Sequence, residues 1–253
     1  LIDDLLVATW IDRELLVARM GAISCNKPFQ KGADRGDVRK ARLIQNAIQP
    51  AGALWSHVLD AEPLGLERHD DGFIFILWNR GDYSFNSQGI EQWRAPPPEC
   101  PDLKKIPMSQ ESVEICVTQS SIEIWSRAGG CCRLSKEDGS LIGRGSFVLD
   151  GSLDKVIAVD SNRLLVLKSG HVYWYREGKL FCEASTSGPI QSVIFNKELN
   201  SWYLAGWREE LELMENDFRR FDNEEVVVQH VHGPDGLWVV TNDGMMTHSI
   251  LTV

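Results

Sequence analysis

The chain has 253 residues, of which 43% are hydrophobic and 9% aromatic, so it is long and apolar enough to bury a full core. Its 26 Lys and Arg stand against 36 Asp and Glu, and the net charge of −10 argues against nucleic-acid binding, which depends on cationic side chains. The longest apolar run, residues 73–78, is far shorter than the roughly 20 residues of a membrane-spanning helix, so no membrane span is expected.

The cysteine pattern predicts an intracellular protein, in the cytoplasm. Six cysteines are spread along the chain without a C-x-x-C pair, and the sequence has no N-x-S/T glycosylation acceptor. Both features favour reduced thiols, and a secreted protein held by three disulfides is the alternative. The N-terminus shows no secretory leader, and its first residue, Leu1, indicates a processed chain or a piece of a longer one.

The N-terminal region combines two predicted strands with a basic segment. Apolar residues 5–10 and 14–19 are predicted to be the strands. The basic segment, residues 27–42, holds six cations and two aspartates. The cations are Lys27, Lys31, Arg35, Arg39, Lys40 and Arg42.

A short helix is predicted over residues 37–49, within a basic insertion that spans 27–52. Apolar residues recur at helical spacing from Val38 to Ile48, with Asp37 as a possible N-terminal cap and Pro50 as a stop. The strand pattern of the rest of the chain does not require this helix. Arg39, Lys40 and Arg42 are therefore candidate partner-binding residues.

From residue 73 onwards, one unit recurs five times: an apolar strand, a tight polar turn and a second strand that often alternates. The first strands cover residues 73–78, 113–117, 163–167, 202–205 and 237–240, and the second strands cover 83–85, 122–125, 172–175, 211–214 and 245–250. The turns lie at Gly81, Ser120, Gly170, Glu209 and Gly244. This spacing is close to the roughly 40 to 50 residues of a four-stranded repeat.

Further apolar segments flank the hairpins and complete four strands per repeat. They cover residues 155–159, 190–195 and 226–231 upstream, and 179–182 and 218–221 downstream. The last repeat ends soon after its third strand. We therefore expect an N-terminal strand to complete it, to close the ring of repeats, and to make residues 1–253 a single domain.

With this organisation the chain resembles the β-propeller superfamily, in a degenerate WD40-like or YVTN-like form, over residues 53–253. The likeness is at the superfamily level, because no Gly-His opens a repeat and no Trp-Asp closes one. The expected fold is all-β, a propeller of about six four-stranded blades. Five blades are clear and a sixth falls within residues 1–60, with the helical insertion near 37–49.

Two further positions are candidate sites. His230 and His232 lie two residues apart on a predicted strand, a spacing that suits a metal ion with additional ligands, although packing at the strand end is the simpler interpretation. Trp207 and Arg208 precede a charged turn and are candidate partner-binding residues, since tryptophan and arginine often anchor interfaces. No metal and no cofactor are expected.

The sequence lacks a hydrolase elbow, a Walker A loop and a complete G-x-G-x-x-G motif. Propellers of the superfamily are often rigid scaffolds for protein complexes, while some bind sugars or peptides and a minority are enzymes. The predicted function is a non-enzymatic scaffold within a multiprotein complex or a longer chain. One alternative is an enzyme or a carbohydrate- or small-ligand-binding propeller with a site in a central channel. Another is an RNA-contacting assembly component that uses residues 27–42.

Overall fold

The computed structural model describes residues 2, 4–12, 17–28, 30–44, 48, 50–106, 109–233 and 235–252. Within this part of the chain there are six antiparallel sheets of three or four strands and one α-helix. The single domain that the sequence predicts over residues 1–253 stays a prediction. The structure is described as two compact units. The first unit comprises Leu1–Ser126 and Gly130–Phe147, and the second comprises Arg127–Gly129 and Val148–Val253.

The first unit contains three sheets, whose strands follow chain order. The first sheet consists of β1 (Leu5–Asp12), β2 (Val17–Ser24) and β3 (Ala53–Leu59), with α1 (Arg35–Leu43) between β2 and β3. The second sheet consists of β4 (Pro63–His69), β5 (Gly72–Leu77), β6 (Gly81–Asn86) and β7 (Glu91–Ala95). The third consists of β8 (Ser112–Val117), β9 (Ile122–Ser126), β10 (Gly130–Leu134) and β11 (Leu141–Ser146), preceded by a 3-10 helix at Pro101–Leu103.

Strand β5 shows how the core of the first unit is built, because it is buried along its whole length. Phe75 packs in one apolar cluster with Met20 of β2, whereas Ile74 packs in another with Ile124 of β9. Successive side chains of a strand point to opposite faces, so β5 contributes to the packing on both sides of its sheet. The outer strand β11 is exposed or half-buried throughout, as a partly solvated strand should be.

The second unit also contains three sheets. The fourth sheet consists of β12 (Leu153–Val159), β13 (Asn162–Leu167), β14 (His171–Arg176) and β15 (Lys179–Ser185). The fifth consists of β16 (Ser192–Asn196), β17 (Ser201–Gly206), β18 (Glu209–Met214) and β19 (Asp217–Asp222). The sixth consists of β20 (Val227–Gly233), β21 (Gly236–Thr241) and β22 (Met246–His248), followed by a 3-10 helix at Ile250–Thr252.

The core of the second unit is centred on two tryptophans. Trp174 of β14 and Trp202 of β17 meet edge to face, with ring centroids 6.5 Å apart. Edge-to-face packing is a preferred geometry for aromatic pairs, and both side chains are fully buried. The indole N–H of Trp174 donates to Asn162 Oδ1 at 2.9 Å, which satisfies its one buried donor.

The structure confirms the five predicted hairpins and refines one of them. In the second, fourth, fifth and sixth sheets the hairpin joins the second and third strands, as in β5–β6 and β17–β18. The hairpin predicted around Ser120 instead joins β8 and β9, the first two strands of the third sheet. Because of this offset, the predicted turn at Ser120 does not lie midway between the predicted turns at Gly81 and Gly170.

Two expectations for the N-terminal region differ from the structure. The helix spans Arg35–Leu43, not 37–49, and Asp34 rather than Asp37 is its cap, since Asp34 Oδ1 accepts the N–H of Asp37 at 2.9 Å. Of the predicted helix, residues 45–47 and 49 lie outside the described residues. The N-terminal strand β1 was expected in the last sheet, but it pairs with β2 in the first sheet, from Leu5 opposite Ser24 to Asp12 opposite Val17.

Candidate interaction sites

Helix α1 lies on the surface and contributes little to the core. Ala41 is buried and Val38 is half-buried, so one narrow face contacts the first unit. Beyond that face, Leu43 is 79% exposed and Ile44, directly after the helix, is 69% exposed. A helix this short is marginal by itself, and two large apolar side chains in water add no packing to hold it.

The exposed side of α1 is also cationic. Arg35, Arg39 and Lys40 are exposed, and the side chain of Arg42 lies outside the described residues. Within the part of the chain that the structure describes, neither Arg39 nor Lys40 forms an ion pair. The α1 surface, defined here as Arg39, Lys40, Leu43 and Ile44, therefore presents two cations and two apolar side chains together.

The structure places Trp207 and Arg208 in the turn between β17 and β18. Trp207 is 55% exposed. Arg208 has a φ of 59°, and its Nε donates to the carbonyl oxygen of Glu224 at 2.6 Å, while its own carbonyl accepts the N–H of Asn223 at 2.8 Å. Arg208 thus fastens the turn to the next loop and leaves the indole in solvent. The role of either residue in binding a partner stays a prediction.

A second exposed tryptophan, Trp78, lies at the matching position of the second sheet, and the sequence analysis missed it. It follows β5 directly, as Trp207 follows β17, and it is also 55% exposed. The exposure of Trp78 could have been predicted from the polar turn Asn79-Arg80-Gly81 that follows it, because a polar turn follows Trp207 in the same way.

His230, one of the two candidate metal ligands, belongs to a buried hydrogen-bond network around Glu210. His230 Nε2 lies 3.3 Å from Glu210 Oε2, and His230 Nδ1 lies 3.2 Å from Ser192 Oγ. Ser249 Oγ and Asn223 Nδ2 donate to the same carboxylate. Burial by itself would raise the pKa of Glu210, but the hydrogen bonds from His230, Ser249 and Asn223 lower it below its ordinary value.

The network occupies both ring nitrogens of His230, whereas His232 is exposed. Among the described residues there is no group of three or more His, Cys, Asp or Glu side chains placed to hold a metal ion. Metal binding by His230 and His232 stays an untested hypothesis, and the described part of the chain places no third ligand beside them.

Asp82 of β6 is a buried carboxyl group that, unlike Glu210, has no hydrogen-bond donor beside it in the described part of the chain. Its side chain is fully buried, and no donor in the described part of the chain is within hydrogen-bonding distance of either carboxyl oxygen. Burial raises the pKa of Asp82 to about 7, because the charged form loses its hydration without gaining a partner.

A cavity of about 570 Å³ lies in the first unit beside Trp78. We call it the Trp78 cavity. Its apolar lining is Leu64, Ile76, Leu77, Trp78, Pro97, Pro98 and Ile106, and its polar lining includes Lys104, Lys105, Ser109, Gln110 and Glu111. One side is formed by the sheet strands β4 and β5, and the other by the connection between β7 and β8. The volume falls within the roughly 300–1,000 Å³ of ligand sites.

Two buried thiols meet at the base of that connection. Cys100 Sγ lies 3.5 Å from Cys132 Sγ of β10, and both cysteines are free. The hydrogen bond from the Cys132 thiol lowers the pKa of Cys100 to about 7, and the same contact raises the pKa of Cys132. From the sequence, the six cysteines are expected only to be reduced thiols, and no pairing is predicted. The long-range pair with Cys100 is visible only in the fold.

The sequence matches no protein-family model and no curated protein. Solved structures with similar folds include Sqt1 of Saccharomyces cerevisiae, at 8% identity and a TM-score of 0.62 over 96% of this chain and 68% of that one. The WD40 β-propeller domain of Doa1 matches at 9% identity and a TM-score of 0.57 over 98% and 76% of the two chains. BBS1N, solved in complex with ARL6DN, matches at 10% identity and a TM-score of 0.59 over 95% and 75%.

At such low identities the likeness concerns the fold and nothing finer. It agrees with the six antiparallel sheets, the buried second strands and the repeated hairpins. None of the described helices is long and apolar enough to cross a membrane. The chain has the all-β fold of a WD40-like β-propeller, as its repeats predicted.

Proposed function

We propose that this chain is a non-enzymatic interaction module that contacts a partner protein through the α1 surface. The observation that carries the proposal is the exposure of Leu43 and Ile44, at 79% and 69%, at the end of a short helix inserted between two strands of one sheet. Exposed apolar side chains grouped on one element are typical of interaction sites. A partner that covers them would also supply the packing that α1 lacks.

The charge of the α1 surface indicates the kind of partner. The whole chain carries −10, so Arg39 and Lys40 form a local cationic exception. Complementary charge steers association and disfavours wrong partners, so we expect an acidic patch with an apolar centre on the partner. The partner is another protein of a complex or another part of a longer chain. BBS1N, one of the structures with a similar fold, was solved with a protein bound, which supports this role for the fold.

Comparative affinity purification from the source cells tests the proposal. The tagged chain is compared with Leu43→Ser/Ile44→Ser and with Arg39→Glu/Lys40→Glu. Matched controls are Val148→Ser, at a residue that is 93% exposed, and Lys168→Glu/Lys179→Glu, which makes the same change in net charge at two exposed lysines. We expect both α1 variants, and neither control, to lose the same set of proteins by about tenfold or more.

The alternative function, contact with RNA, also depends on Arg39 and Lys40, and the same experiment distinguishes it from a direct protein contact. If the proteins lost by the α1 variants are also lost after ribonuclease treatment, RNA bridges them and a direct protein contact is wrong. If the α1 variants and the controls recover identical sets, α1 is not the contact. A substrate turned over by the purified chain at a site away from α1 would contradict the non-enzymatic role.

A further inference from the structure

The Trp78 cavity combines an apolar floor with an aromatic edge. Leu64, Ile76 and Leu77 come from the strands of the second sheet, and Ile76 and Leu77 are themselves buried. Trp78 and Ile106 are about half exposed, at 55% and 49%. An apolar side chain that enters this space would cover both residues, and covering apolar surface is how anchor residues of interfaces gain free energy.

Proline and lysine side chains shape the rest of the cavity. Pro97 and Pro98 belong to its wall and limit the flexibility of the connection there. Lys104 is paired with Glu99 at 2.7 Å, whereas Lys105 is exposed and forms no ion pair within the described residues. Glu99 balances the charge of Lys104, and Glu111 also lines the cavity, so Lys105 is the lining cation left to meet a carboxylate of a bound partner.

The wall that carries these residues is held in place by specific hydrogen bonds. Gln110 accepts the N–H of Cys100 at 2.7 Å and donates to its carbonyl oxygen at 3.1 Å, which closes the connection between β7 and β8 into a loop. Gln110 also donates to the buried Ser109 at 3.0 Å. A preformed wall reduces the ordering cost of binding.

We propose that the Trp78 cavity binds a short acidic peptide segment of a partner protein, which inserts one apolar side chain beside Trp78 and places a carboxylate at Lys105. The apolar floor favours the inserted side chain, and the charge of Lys105 favours an acidic residue beside it. The inference rests on the proposed function in one respect, that the chain is an interaction module. It does not depend on the α1 surface, because the Trp78 cavity is a different surface.

Selection of random twelve-residue peptides displayed on phage against the full chain tests this inference. We expect enrichment of peptides with an aromatic or large aliphatic residue flanked by Asp or Glu. The best of them, labelled with fluorescein, is then titrated by anisotropy. We expect Trp78→Ala to weaken binding by about 10- to 30-fold and Lys105→Glu by about 3- to 10-fold.

Phe218→Ala is the control, because Phe218 is also an exposed aromatic residue, at 41%, and lies in the other unit. It should bind the peptide like the unchanged chain. No enrichment, enrichment of basic peptides, or equal binding by Trp78→Ala would overturn the inference. The proposed function would survive that failure if the α1 variants still lost their partner, so the two failures are distinguishable.

A second inference rests on the thiol pair and not on the cavity. Cys100 and Cys132 are 32 positions apart in sequence, yet their sulfurs are in contact at 3.5 Å. Gly130 makes room for this contact, since a Cβ there would lie 2.5 Å from Cys100 Sγ. Because a disulfide needs sulfurs about 2.05 Å apart, only a small movement separates the pair from bonding.

We infer that Cys100 and Cys132 form a disulfide when the chain meets a peroxide. The Cys100 thiolate attacks hydrogen peroxide, the O–O bond breaks, and Cys100 becomes a sulfenic acid with loss of hydroxide. Cys132 then attacks that sulfur, the S–O bond breaks and water leaves, so two thiols are oxidised and one peroxide is reduced. The bond would tie the connection that walls the Trp78 cavity to β10.

Mass spectrometry tests the disulfide in a Cys25→Ser background, which removes the exposed cysteine. After peroxide treatment and digestion without reductant, we expect the peptides of Cys100 and Cys132 joined, with a mass about 2 Da below their sum. Cys131→Ser should keep the joined peptide and Cys132→Ser should lose it. The inference is wrong if both thiols remain fully alkylated after unfolding, at peroxide concentrations that oxidise Cys25 in the unchanged chain.

Discussion

Two hairpins, β5–β6 in the first unit and β17–β18 in the second, place a carboxyl group at the same backbone position with opposite consequences. Asp82 pairs with Ile76 and Glu210 pairs with Ala205, in each case the second-last residue of the preceding strand. Both side chains are fully buried. Donors alone decide the outcome: Glu210 has three and a lowered pKa, whereas Asp82 has none in the described part of the chain and a raised pKa.

The largest expected effect is that of Glu210→Ala. The substitution leaves His230, Ser249 and Asn223 without their common acceptor in the interior. Breaking such a buried network costs about 3–5 kcal/mol, and urea unfolding should show a loss of that size in the free energy of unfolding. A loss below about 1 kcal/mol would mean that water replaces the carboxylate, and the contrast between the hairpins would then be wrong.

Asp82 should make the unchanged chain less stable as the pH rises from about 4 to about 7. In the unfolded chain its carboxyl loses the proton near its ordinary pKa of 3.8, whereas the folded chain retains it up to about 7. The unfolded state binds fewer protons in this window, so the stability present below it is lost as the pH rises. The loss amounts to a few kcal/mol.

Asp82→Asn should remove this part of the pH dependence, because an amide does not titrate. The free energy of unfolding is measured by urea titration at intervals between pH 4 and pH 8. Equal slopes for Asp82→Asn and the unchanged chain would show that the carboxyl has a donor and a normal pKa.

Glu210 should act in the opposite direction, and more weakly. Its pKa is lowered in the folded chain, so its stabilising contribution is present above the ordinary value of 4.5 and is lost as the pH falls. Glu210→Gln should flatten the acidic part of the stability profile and leave the part between pH 5 and pH 8 unchanged. A flattening above pH 5 instead would contradict the sign assigned to Glu210.

The smallest effect is expected for the tryptophans that follow β5 and β17. Trp78→Ala and Trp207→Ala should each change the free energy of unfolding by less than about 0.5 kcal/mol, because both side chains are half in water. Trp202→Ala is the contrasting variant, since Trp202 is buried, and should cost about 3–5 kcal/mol. A large loss for Trp207→Ala alone would show that the two turns are not equivalent in packing.

The sequence predicted the repeat because nearly continuous apolar strands recur along the chain, and β5 and β17, two of these strands, are buried along their full length. The offset at the third sheet could not be predicted in the same way. Its third strand, β10, begins Gly130-Cys131-Cys132 and has no large apolar residue before Leu134. In the third sheet, the apolar pattern of β8 and β9 therefore predicted a hairpin more clearly than the pattern of β9 and β10.

The candidate sites were harder to predict, since they depend on contacts between distant segments. Exposure of Trp207 was readable from the charged turn beside it. The contacts of Cys100 with Cys132, and of His230 with Glu210, join residues 32 and 20 positions apart and carry no local pattern. The Trp78 cavity likewise forms only because the connection between β7 and β8 folds back over β5. No periodicity in the sequence predicts this contact.

Photocrosslinking at α1 in the source cells tests most directly whether this surface contacts a partner. The photoreactive residue p-benzoylphenylalanine is placed at position 43, and at position 148 as a control that is more exposed still. The account predicts a discrete crosslinked protein at position 43 that is missing at 148 and disappears with Arg39→Glu/Lys40→Glu. The same products at both positions, or none at either, would contradict it.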